Sequence, residues 1–251
     1  QLTTSGMNEI TVSYLGLSTR LYVNVTSSAL ENYTWSQIRT MLVNGTLGST
    51  VSVGATKTIK LSTNEIIELQ LASINDGTGA AGQYYPNGTA DFISVELLPD
   101  LHTINSTNTN VGGWNDSEIR TYLNSTVYPT LPSDLKSVIV EKTHMRTAGN
   151  KSTSLVSAND KLWLPTTYEM FGENSQDYLD DADHNNHYAI FPDSASRIKY
   201  RKAAPTSARY WWLSSPQIIN SSFFACVNSP GNISYGSPTY SYGVVLGLRI
   251  G

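Results

Sequence analysis

Only one of the 251 residues is a cysteine, Cys226, which excludes an internal disulfide and any loop framework stapled by disulfides. Charge is scarce as well. Asp, Glu, Lys and Arg make up 14% of the chain and leave a formal net charge of −4. Basic residues cluster only at Arg197-Ile198-Lys199-Tyr200-Arg201-Lys202, so no nucleic-acid partner is expected: a phosphate backbone needs a wider positive surface. No apolar run approaches the ~20 residues of a membrane span, and no membrane insertion is expected. The chain opens on Gln1, so any leader peptide is expected to have been removed or to lie outside it, and any anchoring to come from elsewhere.

Signatures of catalysis are also missing. There is no Gly-x-Ser-x-Gly elbow and no phosphate-binding glycine loop. His102, His144, His184 and His187 sit in no recognisable arrangement with a nucleophile. Cys226 reads as a small buried residue. No catalytic residue is assigned, and an enzyme is not expected.

A narrower deficit marks the C-terminus. All 32 Lys, Glu, Gln, Met and Trp residues lie in the first 217 positions, and none falls between Ile218 and Gly251. Composition alone would put about five of them in that tail. The plain reading is that a strand-and-loop C-terminus has no use for them. What the tail does contain is distinctive. An aromatic block, Tyr210-Trp211-Trp212-Leu213-Ser214-Ser215-Pro216, and an apolar run from Tyr242 to Ile250 flank a stretch with no sustained period of 2 or 3.6. Its Asn, Ser, Thr, Tyr and Phe are the residues that binding loops use as adaptable contacts and rigid anchors. Strand alternation would bury one of Trp211 and Trp212 and present the other. Trp114, Trp163 and Trp211 read as core, and Tyr235 and Tyr240 as exposed.

Elsewhere the patterning is that of an α+β chain. Residues 1–28 read as a strand-like arm, with Ile10–Tyr14 and Arg20–Val25 alternating. A helix over Thr34–Val43 is capped by Thr34 and buries Trp35, Ile38, Met41 and Leu42. Strands are expected at Val51–Val53, Thr58–Leu61, Ile66–Ile74 and Asp91–Leu98. A second helix follows Asn115 as N-cap, with Glu118 completing a capping box and Ile119, Tyr122 and Leu123 buried. Ser133–Ile139 reads as a short helix turning into a strand, and Leu162–Pro165 as a buried strand. From Glu173 to Arg209 the chain is loop-like.

Three motifs in order carry a family resemblance: Gly112-Gly113-Trp114-Asn115-Asp116-Ser117-Glu118-Ile119-Arg120-Thr121-Tyr122-Leu123-Asn124, Asp160-Lys161-Leu162-Trp163-Leu164-Pro165-Thr166-Thr167-Tyr168-Glu169, and Tyr210–Pro216. From about Trp35 to Ile250 the chain resembles a domain family of unknown function common in bacterial, phage and archaeal-virus surface proteins. Ser214 stands where that family usually has Arg. The resemblance implies a C-type-lectin-like fold over residues 29–251, with two main helices, short, mostly antiparallel strands and long loops. A subset of the family consists of variable proteins of diversity-generating retroelements, whose C-terminal codons are rewritten at template adenines. An Asn codon so rewritten cannot become Lys, Glu, Gln, Met or Trp, which matches the tail's deficit. Gln217 cannot arise in that way.

On this resemblance the variable region spans about 212–242. The expected ligand-binding positions are Trp212, Ser214, Gln217, Ile219, Asn220, Ser222, Phe223, Asn228, Asn232, Ser234, Tyr235, Ser237, Thr239, Tyr240 and Tyr242. The ligand is expected to be a protein or glycan on a host or neighbouring cell, met from a virion surface or an extracellular cell surface. Self-association through the arm is a further expectation. No cofactor is required. Asp177, Asp180, Asp181 and Asp183 could hold a structural Ca²⁺, but they match no EF-hand spacing and read first as an exposed acidic loop. Two alternatives stand beside this reading: a calcium-dependent carbohydrate-binding module of fixed specificity, and a structural surface domain with no ligand.

Overall fold

A computed structural model describes residues 6–14, 17–25, 29–75, 86–173 and 187–251. Strands β1 (Gly6–Tyr14) and β2 (Leu17–Val25) form the arm as an antiparallel hairpin, in register from Gly6 opposite Val25 to Tyr14 opposite Leu17. Helix α1 (Trp35–Val43) follows the sequence reading. The Thr34 hydroxyl accepts from the Gln37 N–H, and the Gln37 side chain accepts from the Thr34 N–H. Its Trp35 ring meets Phe92 edge-on at 5.6 Å. The next turn, α2 (Leu47–Thr50), leads into a loop where a strand over 51–53 is expected; none forms, because the Gly54 N–H turns back to Leu71.

Strands β3 (Thr56–Lys60), β4 (Ile66–Asn75) and β5 (Thr89–Ser94) then pair in sequence. β5 stops short of residue 98, where the Ser94 hydroxyl donates to the Glu96 carbonyl as the chain bends away. Helix α3 (Glu118–Tyr122) is capped by Ser117 and not by Asn115. The Asn115 amide is taken by the Ser157 carbonyl, and the Glu118 carboxylate accepts from Ser106, so the expected box cannot close. One π-helical turn (Leu123–Val127) continues it, with Asn124 bonded to both the N–H and C=O of Leu162. The expected helix-to-strand passage is α4 (Ser133–Lys136) and β6 (Ile139–Val140).

Strands β7 (Lys142–Thr147) and β8 (Leu155–Asp160) form a hairpin that hydropathy does not announce. β9 (Leu162–Trp163) and α5 (Thr167–Phe171) follow; Thr166 and Glu169 make a capping box for α5. The C-terminal strands are β10 (Trp211–Pro216), β11 (Phe224–Val227), β12 (Ile233–Gly236) and β13 (Gly247–Ile250).

The main sheet runs β3-β4-β5-β13-β6, with β9 also on β13. The last strand is thus an interior one, paired with β5 as well as with β6 and β9, setting Arg249 opposite Asp91 and Gly247 opposite Trp163. A second sheet, β10-β11-β12, carries the tail. The named strands pair antiparallel and the helices are few and short, so the chain is α+β.

Four of the buried charges form one linked cluster inside this core. Asp91 on β5, Lys142 on β7, Glu169 on α5 and Arg249 on β13 are all buried. Asp91 accepts from Arg249 Nε at 2.6 Å and Lys142 Nζ at 2.7 Å, and Lys142 also bonds Glu169. The Tyr188 hydroxyl lies 2.9 Å from Asp91 and 3.0 Å from Glu169 and donates its one proton between them. Two cations against two anions leave no net charge to desolvate, which is the condition under which such a cluster is tolerated. Burial opposes ionisation of Asp91, but Arg249 and Lys142 outweigh it and bring the carboxyl down to about 2. His144 on β7, 3.1 Å from Glu169, is held well below its ordinary value by burial and by Arg146.

Candidate functional site

The sheet β10-β11-β12 and its loops bring the tail to one surface. β12 is the edge strand; it exposes Ile233 and Tyr235 and turns Gly236 inward. A methyl group at Gly236 would lie 2.8 Å from the Tyr242 ring and 2.9 Å from the Trp212 ring, so only glycine lets the strand close on that pair. At the other end of β11, Gly231 turns the chain with φ of 85° against the Ser194 carbonyl. The Asn228 side chain accepts from the Asn232 N–H and fixes the same turn.

The loop between β10 and β11 is gathered by a residue from far upstream. The buried Asn110 amide donates to the carbonyls of Gln217, Asn220 and Phe223 at 3.1, 2.8 and 2.9 Å, and its N–H donates to Ser221. Its oxygen accepts from the Asn150 N–H. The backbone of residues 217–223 is therefore held by the scaffold while its side chains point elsewhere.

The fifteen expected positions separate by exposure. Ile219, Asn232, Tyr235, Thr239 and Tyr240 are exposed, with Ile219, Tyr235 and Tyr240 at 58, 55 and 53%. Asn220, Ser222, Phe223, Asn228, Ser234 and Tyr242 are half-buried. Trp212, Ser214, Gln217 and Ser237 are buried, and their side chains do not reach the surface. The expectation that one of the two tryptophans is presented is thus corrected: β10 is covered on both faces, so Trp211 and Trp212 are both enclosed. Each indole N–H is spent internally, on the Arg197 and His102 carbonyls. Ser214 accepts from Arg146 Nε at 2.7 Å, so a guanidinium from β7 reaches the position where the resembled family usually has an arginine.

The aromatic side chains form two groups. Phe223 and Tyr235 lie with ring centroids 5.0 Å apart. Tyr242 is the hub of the other, 4.5 Å from Trp212, 5.2 Å from Tyr210 and 5.8 Å from Tyr240. Tyr210 and Ile233 were not among the expected positions, yet both are exposed; Tyr210 was concealed by the strand-like look of its block. From Leu30 onward, a majority of the large apolar side chains that the described residues expose fall between Tyr210 and Tyr240. Such clustering marks an interaction surface more than scattered exposure does.

Burial pushes the Cys226 thiol up to about 12, so it stays protonated at neutral pH. Burial, with Cys226 and the neighbouring tyrosines, pushes Tyr242 to about 12 as well. Among the described residues no group of three His, Cys, Asp or Glu side chains is placed to hold a metal. Asp177, Asp180, Asp181 and Asp183 lie outside the described residues. No helix of the described residues is long and apolar enough to cross a membrane.

The three sequence motifs converge on the scaffold beneath this surface. Trp114 Nε1 and Arg120 Nε both donate to Asp160, at 2.8 and 2.6 Å. The Thr167 N–H donates to the Ser215 hydroxyl and the Ser214 N–H to the Pro165 carbonyl. No curated protein and no solved structure matches the chain. A family model does match, the domain of unknown function DUF6273, over residues 89–249, which spans all three motifs. The chain belongs to that DUF6273 family.

Proposed function

We propose that this protein binds a ligand or receptor through the C-terminal surface built on β10, β11 and β12, and that the surface is diversified by a retroelement. The fold it uses is read as C-type-lectin-like: a sheet with the C-terminal strand in its interior stands beside a smaller, loop-rich sheet. The ligand is a protein or glycan on a host or neighbouring cell, met from a virion or cell surface. No catalytic step is assigned to any residue.

One observation carries the reading. The tail's half-buried and exposed stretches, 218–223, 228–230, 232–235 and 239–242, contain no Lys, Glu, Gln, Met or Trp. Burial explains such a deficit in β11 and β13 but not at surface positions, which elsewhere carry Glu31, Gln37, Lys60, Glu118 and Lys202. Rewriting of Asn codons at adenines does account for it. Trp212, Ser214, Gln217 and Ser237, buried in the scaffold, are not counted among the contact residues.

Sequencing the 3′ end of the gene and its flanking DNA across a population tests this. Substitutions clustered in codons of solvent-facing positions, with a nearby template copy whose adenines mark them, are expected. An invariant 3′ end with no template would remove the variable-surface reading and leave a fixed-specificity lectin or a structural domain.

A further inference from the structure

We infer that a small cleft at the margin of this surface is an anchoring subsite for one carboxylate-bearing sugar residue of the hexuronic type; the inference rests on the recognition reading above. The cleft has a volume of about 200 Å³ and is lined by Leu101, Arg209, Tyr210, Ser229, Ser241 and Tyr242, with Ala208 at its edge. It exists because three distant segments meet there: the Gly243 N–H donates to the Tyr210 carbonyl and the Tyr242 N–H to the His102 carbonyl. This sets the Tyr210 and Tyr242 rings 5.2 Å apart and tilted by 38° as one apolar wall.

Arg209 points to the ligand's charge. Its Nε is shielded from solvent and has no hydrogen-bond partner, and among the described residues its side chain makes no ion pair. Among the described residues the other enclosed cations each have a partner: Lys142 and Arg249 in Asp91, Lys199 in the Ser94 and Val95 carbonyls, Arg146 in Ser214, and Arg201, whose Nε is likewise unpaired, in the Pro99 carbonyl through Nη1. A guanidinium presents a planar fork of donors that a carboxylate fits with two parallel bonds. The remaining lining selects a sugar as the carrier of that carboxylate. Ser229 donates to the Ala208 carbonyl at 3.4 Å, leaving its oxygen to accept, and the Ser241 side chain is exposed. Ring hydroxyls can engage both serines while the tyrosine rings cover apolar C–H surface. An Asp or Glu side chain would use the guanidinium alone. The volume is below the ~300–1,000 Å³ of sites that enclose a whole ligand, so one residue of a larger ligand is held. Arg209 and Tyr210 precede the tail that lacks the five residue types, whereas Ser229, Ser241 and Tyr242 lie within it. The subsite thus joins a fixed anchor to a wall that sequence change can retune.

Titrating the ¹⁵N-labelled chain at low salt with methyl glucuronide, methyl glucoside and acetate tests this, in the wild type and in Arg209→Gln. Glucuronide is expected to bind about tenfold more tightly than either control, with amide shifts centred on residues 208–210 and 241–242. In Arg209→Gln the acid should fall to the level of the glucoside. Equal binding of the two sugars, no binding of the glucuronide, equal binding of acetate, or shifts elsewhere would overturn the subsite. Should the variant not fold, the wild-type ratio of acid to neutral sugar decides alone. The recognition reading fails separately: a diversified 3′ end without glucuronide binding sinks only the subsite, whereas binding with an invariant 3′ end leaves a fixed lectin site.

Discussion

At the scale of the residue, charge decides stability here more than its low abundance suggests. Lys142 neutralises Asp91 and Glu169 where no water can, so Lys142→Met leaves two carboxylates facing one arginine. Loss of such a buried partner costs about 3–5 kcal/mol, to be measured by urea unfolding at pH 7. The pH dependence follows from the same groups. His144 is depressed in the folded state, so below pH ~6.5 the unfolded chain binds the extra proton. Stability from this source is present above ~6.5 and is lost as the pH falls through the folded value. Asp91, lowered to about 2, adds a second loss as the pH falls from near 4 toward 2. Denaturation midpoints measured from pH 8 to 3 should fall in both windows, and His144→Gln should flatten the upper one. Little of this cluster could be read from the sequence. Its members come from five separate segments, and Arg249 is hidden in an apolar run where it looks like an interruption.

Elements were legible where hydropathy and burial agree, and illegible where they part. Helix α1 has an apolar face and a capping pair of the ordinary kind, and the sequence places it correctly. β7 inverts the usual rule: Lys142, His144 and Arg146 occupy the buried alternate positions and Thr143 and Met145 the outer ones. A pattern reading sends those cations to solvent and sees no strand. The cap of α3 was misplaced because Asn115 and Glu118 fit a box that tertiary partners claim instead. In the tail, aperiodicity pointed to the right surface but could not say which side chains face out; covering of both faces of β10 decides that for Trp212 and Ser214. The division between scaffold and surface within β12 and its loop can be measured. Gly236→Ala must displace the Trp212 and Tyr242 rings and should cost about 1–3 kcal/mol. Tyr240→Ser, at an exposed position four residues on, should change stability by no more than about 0.5 kcal/mol. Thermal unfolding of the two variants side by side checks the contrast.

For the whole molecule, the order of strands explains how a changeable surface can coexist with a fixed core. The chain leaves the second sheet at Gly236, crosses the exposed Thr239–Ser241 turn, and returns as β13 to the interior of the main sheet. Both ends of the stretch proposed to vary are therefore tied into buried structure, by Trp211 to Leu213 on one side and Val244 to Ile250 on the other. Asn110 holds the intervening loop by its backbone, whatever side chains that loop carries. Outward residues on such a frame can change without changing its core contacts.

That separability is the central claim, and a library tests it most directly. Positions Ile219, Asn232, Tyr235, Thr239 and Tyr240 would be randomised together, with every buried residue of the tail kept. The account predicts that most members unfold within about 5 °C of the parent and that binders to unrelated protein or glycan targets can be selected from them. A library in which most members fail to fold, or one that folds yet yields no binder, would contradict it.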